Sequence, residues 1–135
     1  MERAVLRVVA YAVVQEQRLL TVRKRHTQMF MFPGGKLEPG ESHEAAVRRE
    51  VQEELSCAID VASCRLLGQF ITAAANEPDT DLIATVFSSG LIGSPIASGE
   101  IAELRWISIA NFEAEEDLAP LLRDCVLPQL RQHNL

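Results

Sequence analysis

The sequence predicts a mixed β-sheet with helices packed on it, an α/β or α+β fold, and three observations carry that expectation. The elements read in the order β-β-helix-β-β-β-helix. A run rich in Val and Ala near the start, AVLRVVAYAVVQ, has the composition of a largely buried strand. Val47, Val51 and Leu55 recur at four-residue spacing, the buried stripe of a helix.

RLLTVRK alternates well enough to partner the first strand, with Gln15-Glu16-Gln17 as the turn between them. FMFPGGKLEPGES is turn chemistry, Pro33-Gly34-Gly35 and then Pro39-Gly40. Ser42 is placed to cap the following helix, and Glu41 and Glu44 suit its positive N-terminal end. That helix is expected to end near Ser56. RLLGQFITAA and LIATVFSS read as strands flanking the loop ANEPDTD, and ELRWISI as a further strand. The tail from about Asp117 to His133 reads as a helix with Pro120 near its start, and Pro128 is expected to kink or end it.

A chain of 135 residues is sized for one domain, 1–135, and no linker or repeat divides it. The net charge of −6 argues against binding long nucleic acid through its backbone, which calls for a basic face. A small anionic ligand stays compatible, because a metal ion or a local cluster of cations reverses the potential of a pocket. Cys57, Cys64 and Cys125 form no CxxC pair and read as reduced, mostly buried thiols, so the cytoplasm is the expected compartment. VVAYAVV is far too short to span a bilayer, and no membrane partner is expected.

The stretch RREVQEEL gathers Glu50, Glu53 and Glu54 on one helix. At about 100° per residue the three carboxylates share a sector of about 100°, beside the Val47, Val51 and Leu55 stripe. Glu50 and Glu54 are an i,i+4 like-charge pair, unfavourable by a few tenths of a kcal/mol in water. A solvated face is one explanation. The other is a hard divalent cation, Mg²⁺ or Mn²⁺, which takes oxygen ligands from carboxylates and substrate phosphates and leaves a spare carboxylate for water.

The upstream residues decide between them. Gly35 is followed by five residues, Glu41, seven residues, Arg49-Glu50, Val51, one residue and Glu53-Glu54. This pattern resembles the Nudix box, and six fixed letters match by chance on the order of 10⁻⁷ per register. One letter departs: Ser56 stands where the box has its last glycine, and Cys57 follows in place of an aliphatic residue. A helix end favours positive φ there, so serine weakens a cap and removes no ligand. FPGGKLEPGE and ELRWISI extend the likeness to MutT-like members.

The resemblance implies an α/β/α sandwich around a mixed sheet. It implies hydrolysis of a nucleoside diphosphate linked to another group X, with Mg²⁺ or Mn²⁺ as cofactor, a small nucleotide as substrate and a homodimer as a possible assembly. Glu50 and Glu54 would then be the principal metal ligands, Glu53 a third ligand, and the Gly35 carbonyl a helper from the loop. The base would be Glu50 or Glu53. Arg49 and Glu41 would hold the loop against the helix by charge-assisted hydrogen bonds. Substrate contacts would come from Arg23 on the phosphates, Gly34 and Lys36 in the loop, and Asn76 and Glu77 toward X. Glu100 would add a metal ligand, with Glu103 as its rival. MutT-like members that read oxidised guanine carry an asparagine near the start of the last helix, where this chain has Asp117 or Leu118.

Three alternatives stand beside that reading. One is a pyrophosphohydrolase of ADP-ribose or nucleotide sugars. Another is a non-catalytic nucleotide-binding module, which should have lost box glutamates that are all present here. The third is an isomerase of isopentenyl diphosphate, which would call for a cysteine near FPGG, where the sequence has none.

Overall fold

The computed structural model describes residues 3–75 and 77–133. They form an α/β/α sandwich. The strands are β1 (Ala4–Ala12), β2 (Val14–Gln15), β3 (Arg18–Lys24), β4 (Gly34–Lys36), β5 (Ala58–Ile59), β6 (Arg65–Ala73), β7 (Thr80–Ser88), β8 (Leu91–Ile92) and β9 (Ile101–Ser108). Helix α1 spans His43–Leu55, and α2 (Leu127–Gln132) continues a π-helical stretch, Leu121–Val126. The main sheet has the order β4-β1-β7-β6, with β1 parallel to β7 and antiparallel to β4. A second sheet, β2-β3-β9, is antiparallel, and β5 pairs β8.

Strand β1 organises both layers, because its alternate side chains enter different cores. Val9, Tyr11 and the following Val13 pack with Val47, Val51 and Leu55 of α1. Ala10 and Ala12 face the other way, against Leu122, Val126 and Leu127 of the tail helix. From Val9 to Ala12 the strand is buried on both faces and has no polar side to show, which is why VAYA reads as an apolar run. The Tyr11 hydroxyl donates to the Gly90 carbonyl at 2.6 Å, and burial pushes its pKa up to about 12. Phe30 and Phe32 are buried in the core on the tail-helix side, and Phe70 packs against it.

Several sequence expectations are corrected. The first strand does not run unbroken to Gln15: it breaks at Val13, and Val14–Gln15 joins the second sheet. The turn after it is two residues, Glu16 and Gln17, both at positive φ (51° and 62°), the geometry that follows strand twist. The FMFPGGK segment is not all turn, since Gly34–Lys36 adds an edge strand to β1. Two-residue strands β5 and β8 are too short to show a period and escaped notice. The tail helix starts at Pro120 rather than Asp117, because Phe30 holds the preceding segment extended. The Phe30 N–H donates to the Asp117 carbonyl and the Ala119 N–H to the Phe30 carbonyl, both at 2.8 Å. Nor does Pro128 end the helix: the wider π turn comes immediately before it, with the Leu127 N–H on the Leu122 carbonyl. Among the described residues no helix is long and apolar enough to cross a membrane.

Helix α1 is closed at both ends. Ser42 Oγ accepts the Ala45 N–H at 3.1 Å. Ser56 takes the left-handed conformation (φ 52°, ψ 37°), and its N–H reaches the Gln52 carbonyl at 3.1 Å. Its hydroxyl lies 2.6 Å from that of Ser98, which offsets part of the cost of placing a non-glycine residue there. Replacement of Ser56 by Val, which cannot share that bond and is stiff at its Cβ, should cost about 1–2 kcal/mol. Ser56→Gly should match or exceed wild-type stability, read by denaturant unfolding.

Candidate active site

The site is assembled where α1 passes β4 and the loop before β9. Glu54 sits on the inner edge of α1, next to Leu55 of the buried stripe, and is only 5% exposed. Its Oε1 accepts the Gly34 N–H at 2.8 Å. Burial pushes its carboxyl up to about 8 despite that hydrogen bond; the charges of Glu50 and Glu100 add to the rise and Lys24 opposes it. A carboxylate that must ionise beside two others is poorly placed for stability and well placed for a cation.

Arg49 fixes the outer edge of the cluster. Its Nε and Nη2 donate to the two oxygens of Glu41 at 2.8 and 2.9 Å, a bidentate pair. Nη1 reaches Glu50 Oε1 at 2.5 Å, and Nη2 the Lys36 carbonyl at 3.1 Å. Glu41 also accepts the Glu38 N–H at 3.1 Å, and hydrogen bonding to Arg49 holds its carboxyl down at about 2. One guanidinium thus joins the loop, β4 and α1. Glu53 is different: its side chain is 58% exposed, and its nearest cation is Arg49 Nη1 at 3.6 Å.

The two loop glycines are required by close approach. Gly34 has φ +151°, and a Cβ there would lie 2.1 Å from the Val9 carbonyl oxygen, inside the sheet. A Cβ on Gly35 would meet the Glu50 carboxylate at 2.6–2.8 Å. The loop before β9 is fastened to the end of α1: the Ile96 N–H donates to the Leu55 carbonyl at 2.9 Å and the Ser98 N–H to that of Glu54 at 3.0 Å. This anchors Glu100, which is exposed and acts on Glu54 through its charge. Its rival Glu103 is paired with Arg23 Nε at 2.9 Å.

A cavity of about 270 Å³ opens beside the cluster, and Gly34, Gly35, Lys36 and Glu77 are among its lining. Arg23 is not, being engaged by Glu103 and by the Thr27 carbonyl at 2.9 Å. Lys24 lines it instead, and sequence reasoning missed that residue. Simple alternation puts Arg23 and Lys24 on opposite faces without saying which faces the site, and a register shift between them, opposite β9, is invisible in the sequence. Asn76 lies outside the described residues. Asp117 is tied to Arg105 at 2.8 Å, Leu118 is buried, and Ala119 lines the cavity.

The donor set suits a hard divalent cation: carboxylate oxygens crowded around a buried acid, with backbone carbonyls beside them. Among the described residues no three carboxylate, imidazole or thiol side chains converge on one point as they stand. Glu50 is turned into Arg49 and Glu54 into the Gly34 N–H.

Comparison with known proteins agrees with the fold and the box. The NUDIX domain model matches residues 4–127, and the chain belongs to the Nudix hydrolase family, in its MutT-like form. It is 46% identical over 56 residues to an 8-oxo-dGTP diphosphatase of Proteus vulgaris, covering 42% of this chain and 46% of that protein. It is 30% identical over 94 residues to an ADP-ribose pyrophosphatase of Methanocaldococcus jannaschii, covering 67% of this chain and 54% of that one. The chain thus spans about half the length of these curated relatives. A MutT protein from Methanosarcina mazei Go1 superposes with a TM-score of 0.81 at 25% identity, covering 99% of this chain and 98% of that one.

Two outcomes follow from this geometry. Gly34→Ala should fail to fold stably, whereas Gly35→Ala should fold and displace only the Glu50 carboxylate, lowering activity. Glu54 binds its proton more tightly folded, near 8, than at its ordinary 4.5, so its contribution is whole below pH 4.5 and is lost as pH climbs through 8. In metal-free buffer Glu54→Gln, which keeps an acceptor for Gly34, should therefore gain roughly 10–15 °C more over wild type at pH 9 than at pH 5.

Proposed function

We propose that the protein is a Mg²⁺- or Mn²⁺-dependent hydrolase of nucleotides, cleaving the phosphoanhydride bond of a nucleoside diphosphate linked to X, nucleoside triphosphates foremost. The observation that carries this reading is the buried Glu54, flanked by the charges of Glu50 and Glu100 and bonded to Gly34, which lines a cavity. Held by Glu50, Glu53 and Glu54, with Gly35 and Glu100 in support, the cation would neutralise substrate phosphates and lower the pKa of water.

The chain's own groups do the rest. Lys24 and Lys36 supply positive charge along the cavity for the phosphates. Arg49 keeps the Glu50 carboxylate fixed and spends its remaining donors on Glu41 and the Lys36 carbonyl. Glu53, the most exposed of the three and without a short partner, is the group free to take a proton from attacking water. The new O–P bond forms as the anhydride O–P bond breaks, and the bridging oxygen leaves with the phosphorylated fragment or pyrophosphate. Glu77 stands at the cavity to meet X. Asn76 is proposed for the same contact from its place in the sequence, beside Glu77, alone.

A second reading, ADP-ribose or nucleotide-sugar hydrolysis, is favoured by the Methanocaldococcus jannaschii relative, whose name states the first of these activities. A panel of nucleoside triphosphates, nucleotide sugars, dinucleoside polyphosphates and ADP-ribose, assayed with each cation, separates the two. Glu54→Gln should lower turnover roughly 10³-fold while the fold persists. Near-normal turnover in that variant would refute the metal assignment.

A further inference from the structure

The main sheet ends on one side at β4, three residues long and glycine-rich, and on the other at β6, nine residues long. Among the described residues nothing pairs with the outer edge of β6. Long edges are normally blunted by lysine, proline or other charge, because their free N–H and C=O groups invite another strand. Strand β9, at the edge of the second sheet, carries Glu103 and Arg105. From Leu66 to Ala73, β6 carries no charge and no proline. On one face Phe70 packs against the tail-helix core. On the other, Leu66 is 63% and Ile71 71% exposed.

Leu66 and Ile71 share that face only because the strand is irregular. They are an odd number of positions apart, and strict alternation would place them on opposite sides. The pairing with β7 slips by one residue between Leu66 and Gly68, so Leu66 stands opposite Phe87 and Ile71 opposite Ile83. Such a bulge usually discourages edge pairing, but here it makes the strand self-complementary. Let a second β6 run antiparallel about a two-fold axis through Gln69. Phe70 then faces the partner's Gly68, Ile71 the partner's Leu66, and Thr72 the partner's Arg65. The members of each pair lie on one side of the joined sheet, as antiparallel neighbours must.

Charge agrees with this pairing. Arg65, at the start of β6, is exposed. The other end of the strand lies beside Asp79 and Asp81, which share one arginine, Arg3. Arg3 is drawn to Asp81 at 2.8 Å, so its reach to Asp79 is long, 4.0 Å, and Asp79 is 90% exposed. The axis carries the partner's Arg65 to that acidic end, once on each side. We infer that the outer edge of β6 is the interface of a homodimer, in which two four-stranded sheets join into one about Gln69. The occupant is a second copy because the strand's own apolar and charge pattern is the complement its edge requires, whereas an unrelated strand would match only by chance. The inference does not depend on the hydrolase reading.

Sedimentation velocity of the full chain tests this, and a dimer with a micromolar or tighter dissociation constant is expected. Ile71→Lys, at an exposed position, should leave the fold intact and weaken association by about 10²-fold. Leu66→Glu combined with Ile71→Lys should restore the dimer, because each introduced ammonium then faces an introduced carboxylate across the axis. Amide hydrogen exchange in residues 66–72 of the wild type should slow as concentration rises through the dissociation constant. A wild type that stays monomeric at about 100 μM would overturn the proposal, even if it captured an extended peptide. So would a dimer that Ile71→Lys leaves intact, or one that the double substitution fails to restore.

Discussion

The bond from the Gly34 N–H to the Glu54 carboxylate is the constraint on which the site depends. It joins the edge strand β4 to α1 and seats an acid where water scarcely reaches. The sheet demands Gly34, because only a residue without Cβ passes the Val9 carbonyl at that distance. The helix demands that Glu54 lie beside Leu55, at the margin of the buried stripe. Fold and chemistry therefore meet in one hydrogen bond. Such an arrangement costs stability in the protein, and under the proposed function a bound cation would offset that cost.

Around this point the charges are sorted by what holds them. Arg49 and Glu41 form an enclosed, bidentate pair that serves the loop's position. Glu50 is gripped by the same arginine, whereas Glu53 faces solvent with a longer contact. Three carboxylates in one short stretch thus occupy three environments: buried, clamped and free. Division of labour among them comes from surroundings, since the side chains are identical.

Much of this was legible in the sequence, for identifiable reasons. The period of Val47, Val51 and Leu55 fixes the orientation of α1, and with it the sector that Glu50, Glu53 and Glu54 share. Gly34 and Gly35 read as a turn, and the close backbone approach that requires them emerges only from the packing. Less legible were features set by tertiary pairing. Strand β4 is three residues long and glycine-rich, so no propensity announces it. The extended path of Asp117 to Ala119 is imposed by Phe30, which is distant in sequence. The cavity-facing cation turned out to be Lys24 because of a shift in pairing with β9, and pairing partners are not encoded locally. The aliphatic part of the cavity lining, Leu6, Val8, Leu82 and Leu122, was hidden for the same reason, as its residues come from β1, β7 and the tail and look like ordinary core.

The fastening of residues 96 and 98 onto the last carbonyls of α1 has a mechanical consequence. Glu100 hangs from a segment stapled to the helix that bears its fellow acids, so the acids travel as one body when that helix shifts. An insertion between residues 93 and 98 would loosen that grip without touching Glu50, Glu53 or Glu54.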